Sequence, residues 1–128
     1  MTDAWTPEQL AQIGGAEELR IASRRPDGSL RPWVPIWVVA TGGQVYVRTW
    51  HRRTTGWFGQ VLAEPRARVQ VPGLEADVVV EDVGVGPGEL RSSVDEAYRG
   101  KYARYGHSTI GQMVNDSAAA ATLRLMPS

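Results

Sequence analysis

The chain has no cysteine. That excludes a disulfide framework, a thiolate nucleophile and a zinc–thiolate cluster, and it makes a reducing cytoplasm the expected compartment. Histidine is scarce: His51 and His107 are the only two, with no cluster of carboxylates beside either, so no metal centre is expected. Net charge is missing as well, because 14 basic residues offset 14 acidic ones. No global field therefore favours nucleic acid or anionic lipid. The longest apolar runs, such as residues 34–40, are far short of the roughly 20 residues that span a bilayer. Residues 1–10 lack a basic stretch leading into an apolar one, so neither a membrane span nor an export signal is expected. Several motifs are absent too: a Gly-x-Gly-x-x-Gly turn between strand and helix, a P-loop, a Gly-x-Ser-x-Gly elbow and a His-Glu-x-x-His pair. Gly84-Val85-Gly86-Pro87-Gly88 is rich in glycine, but it places a proline where a phosphate cradle needs amide donors, and it reads as a loop.

What is present fits one domain over residues 1–128. A fold of 14.0 kDa hides roughly two-thirds of the surface its unfolded chain exposes, enough for a core without staples. Thr6-Pro7-Glu8-Gln9 supplies a hydroxyl cap, a proline at the first helical position and a glutamine three residues past the cap, which predicts a helix to about Ile13. Alternation predicts a strand over Leu19–Ser23, a turn at residues 26–29 and a second strand over 30–40. Thr41-Gly42-Gly43 then turns the chain into a third strand over 44–49. Pro32 and Pro35 cannot donate to a ladder, so the second strand should begin at a sheet edge. Helical spacing of Trp57, Phe58, Val61 and Leu62 predicts a helix over 55–63. Strands follow at 66–71 and 76–83. Ser93 with Glu96 reads as a capping box for a helix through Tyr98, Tyr102 and Tyr105 that closes at Gly106. A helical turn over 110–114 and a strand over 122–126 complete an α+β pattern of about six strands.

Charge is unevenly placed. Residues 48–68 carry Arg48, Arg52, Arg53, Arg66 and Arg68 against Glu64 alone. Within them, Arg48-Thr49-Trp50-His51-Arg52-Arg53-Thr54-Thr55 leaves a strand, crosses a cationic loop and reaches the start of a helix. Guanidinium forks, hydroxyls and uncommitted helix-start amides are the donors that hold a phosphate. The competing reading is a solvated loop whose arginines meet nearby acids. Trp33, Trp37, Trp50 and Trp57 gather near this loop, either as core or as a wall for an aromatic ring system. Trp33 and Trp37 share a face with Pro35, opposite Val34, Ile36 and Val38, so one of the two sets should face away from the interior.

Three meandering strands, the Arg/Thr loop, the Trp57-Phe58 helix closing at Leu62-Ala63-Glu64-Pro65 and the strand Arg68-Val69-Gln70-Val71 resemble the split β-barrel flavin-binding superfamily. That superfamily includes the pyridoxamine phosphate oxidase-like proteins and the deazaflavin-dependent nitroreductases. Within it, residues 19–28, Pro35-Ile36-Trp37 and Tyr46-Val47-Arg48 look like a small bacterial domain family. The resemblance implies an antiparallel six-stranded split β-barrel with inserted helices. It also implies a homodimer that holds FMN or a deazaflavin at the subunit groove. Carried over residue by residue, Arg48, Thr49, Arg52, Arg53 and Thr54 would face phosphate, Pro35, Ile36 and Trp37 would line the ring, and Trp57 would open the helix beside it. The function so implied is an oxidoreductase that reduces a small organic acceptor such as a quinone, nitroaromatic or enone. The alternative is a non-catalytic barrel that binds or senses a phosphorylated or aromatic ligand. No nucleic-acid or membrane partner is expected.

Overall fold

The computed structural model describes residues 4–49 and 56–128. Helix α1 (Pro7–Gly15) opens on the expected capping box: Gln9 N donates to Thr6 Oγ1 at 3.1 Å and Thr6 N donates to Gln9 Oε1 at 2.9 Å. Strand β1 (Leu19–Ser23) follows, then β2 (Val34–Ile36), β3 (Val39–Thr41) and β4 (Gln44–Arg48). Helix α2 (Gly56–Ala63) leads into the hairpin of β5 (Arg66–Val71) and β6 (Leu74–Asp82). Helix α3 (Gly88–Lys101), a 3-10 turn (Ala103–Tyr105), α4 (His107–Val114) and the single turn α5 (Asp116–Ala119) come before β7 (Thr122–Pro127).

The sheet order is β2-β1-β5-β6-β7-β4-β3, and every neighbouring pair is antiparallel. Strands β2 and β3 therefore occupy opposite edges, although only Trp37 and Val38 separate them in the chain. Three Cα steps from Ile36 to Val39 reach about 11 Å at most. The end of one edge strand and the start of the other are held within that distance, and the sheet curls into a barrel that closes at this junction.

The expectation of one strand over 30–40, and of six strands in all, is corrected by this geometry to seven. Pro32 and Pro35 supply no N–H, so the first part of the segment makes only an isolated bridge between Arg24 and Leu30. Regular pairing to β1 begins at Val34, and the chain changes partner from β1 to β4 across Trp37 and Val38. The edge position expected for the proline-bearing strand is what is observed.

Period-two alternation sorts the two sides of the barrel wall. Leu19, Ile21, Val45, Val47, Val69, Val78, Leu123 and Leu125 point inward, joined by Ile13 from α1 and by Phe58 and Val61 from α2. The outer side of β3 and β4 presents Val39 and Tyr46 to a second core made by Val94, Tyr98, Tyr102, Ile110 and Met113. Helix α3 begins earlier than a capping box at Ser93 and Glu96 would allow. Pro87 is its N-cap at φ −62°, ψ 152°, and Ser93 and Glu96 lie inside the helix. A proline just ahead of the first turn stops a helix from extending further back, which outweighs a cap pattern further along. Gly106 ends the following 3-10 turn at φ +85°, a region open mainly to glycine. Among the described residues no helix is long and apolar enough to cross a membrane.

The junction is stitched by the C-terminal end of α3. Tyr102 Oη accepts from Val38 N at 3.0 Å and donates to the Glu17 carbonyl at 2.7 Å, while Lys101 Nζ donates to the Val38 carbonyl at 2.6 Å. Half-burial lowers the Lys101 amine to about 8 from its ordinary 10.5. Burial raises the Tyr102 hydroxyl to about 12. Between pH 8 and 10.5 the folded amine has lost its proton while the unfolded chain keeps it, so stability rises with pH across that window. The Tyr102 contribution is intact below its unfolded value of 10.0 and fades only as pH climbs toward 12. Urea unfolding of the wild type against Lys101→Met from pH 7.5 to 10 should therefore show a stability difference that shifts in favour of the wild type as pH rises. Parallel profiles would refute this titration.

Candidate functional site

Arg48 is placed by the parity of β4. With Val45 and Val47 inside the barrel, Tyr46 and Arg48 fall on the outer side of β4, beneath α3 and α4. The Arg48 guanidinium is buried there. Its Nε donates to Thr122 Oγ1 at 2.9 Å, and its Nη1 donates to Asp95 Oδ1 at 2.6 Å and to the Met113 carbonyl at 2.8 Å. Thr122 in turn donates to the Ala119 carbonyl at 2.7 Å. Arg91 approaches the second Asp95 oxygen at 3.4 Å and pairs with Asp116 at 2.9 Å. Arg48 therefore joins β4, α3, α4 and β7, with both its Nε and its Nη1 committed inside the protein. The reason is desolvation: a buried guanidinium needs a carboxylate and carbonyl acceptors on the spot, and here it has them. The Tyr98 hydroxyl lies in the same layer without a hydrogen-bond partner among the described residues, and burial pushes its pKa well up.

The three residues expected to line a ring alternate across β2. Ile36 is buried in the barrel core, while Pro35 is exposed and Trp37 lies outside the barrel. Trp37 stacks on Tyr102 with centroids 4.0 Å apart and planes 2° apart, and Tyr105 packs on it at 4.9 Å. Trp33 shares that outer side, 36% exposed. The face separation read from the sequence is the one observed.

Thr49 is buried at the end of β4. Arg52, Arg53 and Thr54 lie outside the described residues, as do Trp50, His51 and Thr55. The chain re-enters at Gly56, the first residue of α2, where Trp57 is half-buried and meets Phe58 edge-on at 5.5 Å. Beside this helix lies a cleft of about 410 Å³ between α2 and the loop joining β1 to β2, lined by Arg24, Arg31, Gly56, Gly59, Gln60 and Glu64 among others. Sequence reasoning missed Arg24 and Arg31. The available signal was their position flanking a hairpin whose first strand ends at Ser23, but nothing local placed α2 across from that hairpin. Among the described residues no group of three or more metal-ligating side chains forms.

A curled antiparallel barrel with helices on its outer side defines the class, a split β-barrel of α+β type, and several solved structures share it. An FAD-binding protein from Mesorhizobium loti aligns at 16% identity over 98% of this chain and 91% of that chain, with a TM-score of 0.61. An F420-H2 dependent reductase aligns at 17% identity over 86% and 93%, with a TM-score of 0.60. The heme storage protein HutZ from Vibrio cholerae aligns at 12% identity over 95% and 89%, with a TM-score of 0.65. At such identities the likeness is one of fold. No curated protein matches in sequence. The chain belongs to the bacterial family described as "Uncharacterized protein conserved in bacteria (DUF2255)", whose profile matches residues 9–125.

The buried Arg48–Asp95 pair yields a direct test. Asp95→Ala leaves a buried guanidinium without its carboxylate and should cost about 3–5 kcal/mol in urea unfolding. The pair replacement Arg48→Met with Asp95→Leu should recover a large part of that loss, because it removes both charges. A cost below about 1 kcal/mol for Asp95→Ala would mean the pair is effectively solvated.

Proposed function

We propose that this chain holds FMN or a deazaflavin and uses it to reduce a small organic acceptor of the quinone, nitroaromatic or enone class. The supporting observation is the way the cationic segment is anchored. Arg48 and Thr49 are buried at one end, α2 opens at Gly56 at the other, and the cleft beside α2 lies next to that opening. A segment bearing Arg52, Arg53 and Thr54 between two such anchors carries the donor types that grip a phosphate. The open edge of β2, with Pro35 exposed and Trp37 on the same side, offers an apolar margin to a ring system, and Trp57 stands at the start of α2. The cofactor, when bound, supplies the hydride. The chain contributes binding, orientation and exclusion of water, which demands no tuned acid or nucleophile. Among the described residues the cleft lining contains no histidine, cysteine or tyrosine.

That same lining supports a second reading, a barrel that stores or senses a phosphorylated or aromatic ligand without turnover. A homodimer belongs to both readings, since β2 is an edge strand flanked by the exposed Trp33.

Titration of the purified protein with FMN and with a deazaflavin, followed by visible spectra and melting temperature, should show saturable binding and a raised melting point for one of them. Arg52→Ala with Arg53→Ala should weaken that binding by about 1–3 kcal/mol per lost charge-assisted contact and leave the fold intact. Unchanged affinity would move the phosphate elsewhere. Binding without reduction of any acceptor would favour the storage reading. Sedimentation at micromolar concentration should give twice 14.0 kDa, and a monomer would remove the subunit groove.

A further inference from the structure

The cleft between α2 and the β1–β2 loop carries features that the cofactor reading does not use. Its charged lining residues among those described are Arg24, Arg31 and Glu64. Arg24 is held by the Gly28 carbonyl at 2.8 Å and by Asp77 at 2.9 Å, and Glu64 is neutralised by Arg66 at 2.9 Å. Arg31 differs. Its Nη1 donates to the Arg24 carbonyl at 2.7 Å, and among the described residues it has no carboxylate partner. A half-buried guanidinium anchored by one nitrogen keeps its other donors for something else.

Gln60 adds an oriented neutral donor. Ser23 is buried at the end of β1, and its Oγ donates to Gln60 Oε1 at 2.8 Å. With the oxygen end of the carboxamide tied down, Nε2 has no hydrogen-bond partner among the described residues, and Gln60 lines the cleft. Gly56 and Gly59 put no side chain in the way along this side of α2, and a Cβ at Gly56 would meet nothing within 4 Å.

We propose that this cleft binds the oxyanion of a small ligand, a carboxylate or a phosphate, with Arg31 as its charge partner, Gln60 as its oriented donor and Ser23 as the residue that positions Gln60. A guanidinium beside an amide N–H supplies charge and direction together, which suits a planar carboxylate or one face of a phosphate. The inference deepens the ligand-binding reading that this cleft already supports, and it differs from the cofactor assignment in its residues, Arg31 and Gln60 in place of Arg52 and Arg53.

The test is nuclear magnetic resonance of the full chain, following the Gln60 side-chain amide and the Arg31 Nε–H during titration with sodium phosphate or, separately, sodium acetate, against sodium chloride at matched ionic strength. Saturable shifts of both groups with phosphate or acetate and not with chloride are expected, and the tighter of the two identifies the oxyanion. Arg31→Met should weaken the response at least tenfold, with Arg31→Lys intermediate. Gln60→Glu, which places a carboxylate in the cleft without touching the arginine's anchor, should abolish it. Ser23→Ala should weaken it less and broaden the Gln60 amide signals. Equal shifts with chloride, or an unaltered response in both Arg31→Met and Gln60→Glu, would overturn the proposal. Loss of the response in Arg52→Ala with Arg53→Ala would also overturn it, by assigning the anion to the cofactor segment.

Discussion

Closure of the barrel through a two-residue junction is the constraint on which the rest of this structure depends. Because Trp37 and Val38 join strands at opposite edges of one sheet, the sheet has to curl until those edges meet. Backbone groups at the junction pass from one partner strand to another, and a polar group left there without a partner would be costly. Tyr102 and Lys101 meet that need from outside the barrel, and Trp37 lies flat on the Tyr102 ring. The helical layer thus covers the second core and also completes the hydrogen bonding of the barrel wall.

The same layer decides what Arg48 does. On an uncovered strand a residue opposite Val45 and Val47 would face water and be free for an anion. Under α3 and α4 it becomes a buried cation that must be paired, and Asp95, Thr122 and the Met113 carbonyl form the pocket for it. Such an arrangement links four elements, yet it adds little net stability over an apolar packing of the same shape, because both charges were taken from water.

Much of the fold was legible locally. The Thr6 and Gln9 cap, the span of β1, the alternation of Arg66–Val71 and the face shared by Trp33, Pro35 and Trp37 all follow from period and cap chemistry. The Ser93 and Glu96 pattern misled because a cap motif is competent wherever it occurs, and Pro87 had already started the helix upstream. The candidate site was less legible. Arg31 and Gln60 lie 29 positions apart in the sequence, and their convergence depends on α2 packing against the end of β1. No short-range pattern encodes that contact.

The amino-acid sequence by itself determined the absence of thiol chemistry, the antiparallel hairpins, the strand faces and the cationic stretch after β4, because each depends on residue type or on near-neighbour spacing. Tertiary structure alone decided that one long strand becomes two edges, that Arg48 is paired and buried, and that Arg31 and Gln60 share a cleft. Those outcomes depend on which surfaces meet after the sheet curls. Burial then sets the cost of every charge and the availability of every donor.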